Sequence, residues 1–219
     1  MSTSPHSFLN PPQPPDVLGE LLHSLSQPLT SLRCSLELSI DEEAEQRQES
    51  VVVALQQTER VIGMVQLMRE YLEAEHLLPE TYSSALTPVL CSVVEELASI
   101  TALEGIKVQL VGTCKATLAA SEPRLRLALQ YLIAAVVEAQ IETQAAGGKV
   151  TLLLGEGPAG TVLRAESKLG FCKPLGATPT LRRVRLAIAR RMLESAGASL
   201  AFDDKNAPSG FVLRIPRRM

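Results

Sequence analysis

Tryptophan is absent from the 219 residues and aromatic side chains make up 3% of them, so the sequence has little with which to stack bases or build an aromatic substrate platform. Leu, Val and Ala must fill the interior instead. Cysteine is sparse: Cys34, Cys91, Cys114 and Cys172 lie far apart with no CxxC pair, and the histidines do not stand around them at metal-ligand spacing. Reduced, structural thiols are expected. No apolar run approaches the length of a membrane span, and the N-terminus carries prolines rather than a basic, apolar leader, which predicts a cytoplasmic chain without a membrane partner. A global basic field is missing as well. The net charge of -3 argues against a nucleic-acid partner, although Arg182, Arg183, Arg185, Arg190, Arg191, Arg214, Arg217 and Arg218 make the C-terminal end locally positive.

What the chain has in quantity is periodic apolar content. Residues 1–15 are rich in Pro and Ser and predict a disordered tail. From Asp16, a plausible N-cap, the pattern changes: Leu18, Leu22, Leu25, Leu29, Leu32 and Leu36 follow one another at alternating steps of four and three, which is a heptad seam. The polar, acidic stretch 41–49 separates it from a second helical stripe, Val51, Leu55, Ile62, Val65 and Leu72. Two such helices predict an antiparallel hairpin over 16–76. Leu21, Val52, Val61, Met64 and Met68 lie beside the stripes, so one hairpin would leave apolar surface in water. Pairing two hairpins into a four-helix bundle buries it, and a homodimer is the expected assembly.

Residues 77–87, with Pro79 inside and Pro88 just beyond, suit a linker. The remainder, 88–219, alternates helices and strands. Helices are predicted near 88–103, from Ser121 as cap, and over 179–195; strands near 106–111, 115–119, 149–154, 161–166, 198–203 and 211–215. The fold class is therefore α+β, a helical hairpin followed by an α/β sandwich with helices on one face of a mixed sheet.

The sharpest local signal is His23-Ser24-Leu25-Ser26-Gln27-Pro28-Leu29-Thr30 on the first heptad helix. It resembles the H-box of the sensor histidine kinase family, in which a phosphoacceptor histidine is followed five residues later by proline and then leucine. His23 stands one position beyond Leu22, so its ring flanks the seam and reaches solvent while the leucines are buried. A phosphoacceptor needs an accessible neutral imidazole nitrogen on a rigid support. The competing reading makes His23 a surface histidine and Pro28 the mark of a helix end.

After Asp16 the resemblance extends along nearly the whole chain, and the second region resembles the Bergerat-type ATP-binding domain. The stretch 125–140 resembles the N-box helix, but Ala135 stands where the family has asparagine, with Glu138 the one acid nearby. The stretch 181–202 resembles the glycine-rich lid leading into Leu186-Ala187-Ile188-Ala189-Arg190 and the following helix, with Arg183 and Arg185 in place of glycines that let a backbone approach phosphate. The family's adenine-reading aspartate and glycines would fall at 166–170, where Glu166 and Gly170 are what remains. These departures imply a degenerate site, with no cofactor bound by this chain. Kinases usually follow the histidine with an acid; here it is Ser24, and an aspartyl phosphate donor needs less help with proton removal.

The resemblance thus implies a histidine phosphotransfer protein of a bacterial two-component phosphorelay. Its partners would be response-regulator receiver domains, which carry the Mg2+, and an upstream hybrid kinase. His23 is the candidate catalytic residue, with Ser24, Gln27 and Pro28 in support. Gly19, Glu20, Thr30 and Cys34 share its helical face and would contribute to docking, or are simply a solvated face. Gln27 occupies a position where related kinases carry a phosphatase residue, or is a polar surface residue. The arginines of 182–191 either meet an acidic receiver or solvate an amphipathic helix. Two rival functions stand beside the relay: a non-catalytic dimeric adaptor or pseudokinase, and a divergent active kinase.

Overall fold

Helix-forming leucines and a long uninterrupted polar and apolar alternation produce two helices, α1 (Val17–Asp41) and α2 (Ala44–Glu75), which form the hairpin. The computed structural model describes residues 17–41, 44–78, 80–142, 148–167, 180–202 and 210–217. The predicted tail, the Asp16 cap, Pro79, Cys172 and positions 168–170 lie outside them. Near the hairpin turn, the Arg47 Nε–H donates to the Ser39 carbonyl at 3.1 Å. α1 runs straight through Pro28, which offers no N–H to the carbonyl of Ser24, a loss of about 3 kcal/mol in an isolated helix. Burial of the Pro28 ring offsets it. Pro28 is not a helix end.

The seam itself needs correction. Leu22, Leu29 and Leu36 are 55%, 46% and 49% exposed in the single chain, whereas Val17 and Leu21 are buried. On α2 the stripe Val51, Leu55, Ile62, Val65 and Leu72 is likewise exposed, and Ala54, Met64, Leu67, Tyr71 and Ala74 are buried. Each helix carries two apolar stripes side by side. Of the heptad leucines, Leu22, Leu29 and Leu36 face away from the covered stripe, whereas Leu18, Leu25 and Leu32 are half-buried between the two.

Two compact units, Met1–Val61 and Ile62–Met219, divide within α2. The second holds β1 (Ser84–Ala85), α3 (Leu86–Leu103), β2 (Lys107–Val111), β3 (Thr117–Leu118), α4 (Glu122–Glu142), β4 (Lys149–Gly157), β5 (Gly160–Ser167), α5 (Thr180–Ser195), β6 (Ser199–Phe202) and β7 (Phe211–Pro216). Five strands form a mixed sheet in the order β2-β4-β5-β7-β6, with β2 and β4 parallel and the other neighbours antiparallel; β1 and β3 pair as a separate ribbon. On β4 the buried Val150, Leu152 and Leu154 alternate with partly exposed Thr151 and Leu153, the period-two signature of a sheet covered mainly on one face. α3 packs on α4 and β2, α4 on α5 and β5, and α5 on β6. Leu90, Leu129, Leu132, Ile188 and Leu213 close the core between these layers.

Several local expectations change. α3 is apolar and long enough to cross a membrane by length and composition, with a mean hydropathy of 1.5 over 18 residues, against the expectation that no run comes near a span. Its apolar side is needed elsewhere: Leu86, Val89, Leu90 and Val93 are buried as it packs on α4 and β2. The strand predicted over 115–119 shrinks to Thr117–Leu118. Ser121 does not spend its hydroxyl as a cap; it donates to Glu80 at 3.3 Å, and its N–H meets the same carboxylate. Glu80, from the stretch expected to be a linker, also pairs with Arg124 at 2.9 Å and so fixes the start of α4. Arg183 and Arg185 lie inside α5 rather than in a loop.

Candidate functional site

α1 places His23 on the exposed side of the hairpin, one turn before the missing hydrogen bond at Pro28. Among the described residues, neither the His23 imidazole nor the Gln27 amide has a hydrogen-bond partner, and both are exposed. They stand four residues apart, hence on one helical face. Ser24 is different: its hydroxyl donates to the Glu20 carbonyl at 2.8 Å, so it is committed to its own helix. Thr30 does the same to Ser26, also at 2.8 Å. Thr30 and Cys34 are exposed along the His23 face, while Gly19 and Glu20 are half-buried at its upper end. The face thus carries one carboxylate, Glu20, about a turn before the ring, and is bordered by exposed Leu22 and Leu29.

In the second unit, Tyr131, Ala135 and Glu138 share one side of α4 by their four- and three-residue spacing. Ala135 is buried and supplies a methyl group where the resembling family has an amide. Glu138 accepts from Arg182 at 3.0 Å and Arg185 at 2.6 Å, both on α5. Arg182 is only 3% exposed, and a buried guanidinium requires such a partner. Tyr131 donates its hydroxyl to Glu70 on α2. Burial first, then the hydrogen bond to the Glu70 carboxylate, hold the Tyr131 hydroxyl far above its ordinary range and keep it protonated.

Arg191 of α5 reaches α2 as well, pairing with Glu75 at 2.5 Å and lying over the Tyr71 ring with its Cζ 4.9 Å from the centroid. The Arg191 hydrogen bond, joined by one from Tyr71, holds the Glu75 carboxyl below its usual value. Arg190 lies over Phe202 at 5.2 Å. Arg182, Arg185 and Arg191 are thus engaged by carboxylates within the chain, rather than simply solvating one face of an amphipathic helix. The partners Glu70, Glu75, Tyr71 and Tyr131 went unnoticed in the sequence, because pairs such as Glu70 and Tyr131, 61 residues apart, leave no local spacing to detect.

No protein-family model matches the sequence, and no curated protein matches it. Solved structures do. The chain is similar to Acinetobacter baumannii histidine kinase AdeS, with a TM-score of 0.63 at 16% identity, over 90% of this chain and 98% of that one. It is similar to the cytoplasmic segment of histidine kinase QseC, with a TM-score of 0.52 at 14% identity, over 72% of this chain and 95% of that one. A third likeness is to histidine kinase ThkA in its complex with response regulator protein TrrA, with a TM-score of 0.66 at 13% identity, over 93% of this chain and 62% of that one. At these identities the likeness is one of fold: a helical hairpin followed by an α/β sheet domain, as in histidine kinase cores.

Proposed function

We propose that the chain is a histidine phosphotransfer protein of a bacterial two-component phosphorelay, acting in the cytoplasm as a homodimer. The observation that carries this reading is His23, exposed and without a hydrogen-bond partner among the described residues, on a helix that continues through Pro28. An imidazole nitrogen attacks the phosphorus of an aspartyl phosphate on a receiver domain; the P–N bond forms, the acyl P–O bond breaks, and the aspartate leaves as carboxylate. The N–H proton of the ring passes to solvent. The reverse step on a second receiver regenerates neutral His23. The receiver domain brings the magnesium ion, so positioning is what this chain supplies.

Three features support a relay over a kinase. Ser24, in the place of the usual acid, has its hydroxyl tied to the Glu20 carbonyl. Ala135 offers no oxygen ligand. Glu138 is neutralised by Arg182 and Arg185, so this side of α4 does not suit a magnesium nucleotide. The exposed stripes on α1 and α2 favour a second copy of the hairpin as their cover.

The test is to incubate the protein with labelled phosphorylated receiver domains and, separately, with labelled ATP. The expected result is acid-labile label on His23 from the receivers alone. Label from ATP overturns the degenerate-site reading. A His23→Ala chain that still supports signalling in cells identifies an adaptor instead.

A further inference from the structure

At the β4–β5 turn a cleft of about 330 Å³ opens between the sheet and the segment leading into β3. Its floor is a row of laterally paired residues: Glu156 opposite Thr161, and Thr161 opposite Ile215. Directly paired residues of antiparallel strands project to the same face, so these three side chains stand in line. The segment passing over them is tied down where the Lys115 N–H donates to Glu156 Oε1 at 3.0 Å. Lys115 and Arg217, both exposed, also line the cleft.

Thr161 is the unusual member. It is only 7% exposed, yet among the described residues nothing bonds to its hydroxyl. A buried hydroxyl without a partner costs stability, and valine would fill the same β-branched shape without that cost. Gly160 beside it has a φ of +134°, and a Cβ there would stand 2.1 Å from the Ile215 carbonyl oxygen. Backbone contact thus fixes the turn and holds Thr161 against the cavity.

We infer that this cleft binds a small organic oxyanion, a carboxylate or a phosphate monoester that also carries a hydroxyl group. The oxyanion lies between Lys115 and Arg217 and accepts the Thr161 hydrogen; the ligand hydroxyl donates to Glu156. Two cations against one carboxylate leave the net positive balance that selects a monovalent or divalent anion, and Glu156 disfavours an anion with no donor to offer. No part of this site is shared with His23.

The experiment is calorimetric titration of the full chain with glycerol 3-phosphate and with glycerate, and with glycerol as the uncharged control. Binding of either anion without binding of glycerol is expected; which one binds tighter identifies phosphate ester or carboxylate. Thr161→Val should raise the melting temperature of the unliganded protein and weaken binding about tenfold. Lys115→Gln with Arg217→Gln should abolish binding while leaving the melting temperature in place. Absence of binding by both anions, or binding unchanged in these variants, overturns the proposal.

Discussion

The guanidinium of Arg191 holds the carboxylate of Glu75 at 2.5 Å while lying over the ring of Tyr71, so one side chain of α5 grips two consecutive turns of α2. Both members of the ion pair are 35% exposed, which limits its strength in water. Arg191→Ala should cost about 1 kcal/mol, shared between the pair and the cation–π contact. The pH dependence has a definite sign. Because the folded Glu75 pKa is depressed below the ordinary 4.5, its contribution is complete above that value and disappears as pH falls through the folded one. Urea denaturation of wild type and Arg191→Ala should therefore converge in acid, leaving only the cation–π remainder.

Glu138 neutralises a guanidinium that has almost no access to water. Glu138→Ala removes one charged partner of Arg182, which is 3% exposed, and should destabilise the α/β unit by about 1–3 kcal/mol. Glu138→Gln keeps an acceptor and should lose less. Denaturant midpoints of the two variants decide whether the charge or the hydrogen bond dominates.

Gly112 sits at a φ of +92°, and a Cβ there would approach the Leu154 carbonyl oxygen to 2.0 Å. Gly112→Ala therefore meets both backbone strain and a clash, a combined cost of about 3 kcal/mol. Gly155→Ala, on the same strand as Leu154 but with nothing within 4 Å of its Cβ, should stay within about 0.5 kcal/mol of wild type. Thermal melts of the pair check the contrast.

The exposed leucines of α1 offer the cleanest test of assembly. Leu29→Lys with Leu36→Lys puts charge on a stripe that one chain leaves in water. Light scattering should show the mass fall from two chains to one, with helical circular dichroism retained. A wild-type mass of one chain would overturn the proposed dimer, and a two-chain mass unchanged by the substitutions would mean that another surface joins the copies.

How much of this was legible in the sequence follows from the range of each signal. The two long helices, the strands β2, β4, β5, β6 and β7 and the helix starting at Glu122 were visible because their periodicity is local. The two-residue strands β1 and β3 are too short to have a period, and Glu80 reaches Ser121 across 41 residues. The choice of inner stripe was hidden for another reason. Leu21 and Leu22 are equally apolar neighbours, and only the packed chain reveals that the first is buried and the second 55% exposed. His23 was legible as a candidate through the resemblance of 23–30 to the H-box, whereas the commitment of the Ser24 hydroxyl to Glu20 needed coordinates.

Pro28 removes one rung from the ladder of α1, a single turn beyond the imidazole. A rod with a missing rung yields there before it yields anywhere else, so the compliance of this helix is concentrated next to His23 while the stretch toward Asp41 stays stiff. Amide exchange should find its fastest helical protons around that notch, and a docking partner would meet a ring that can tilt without unravelling its support.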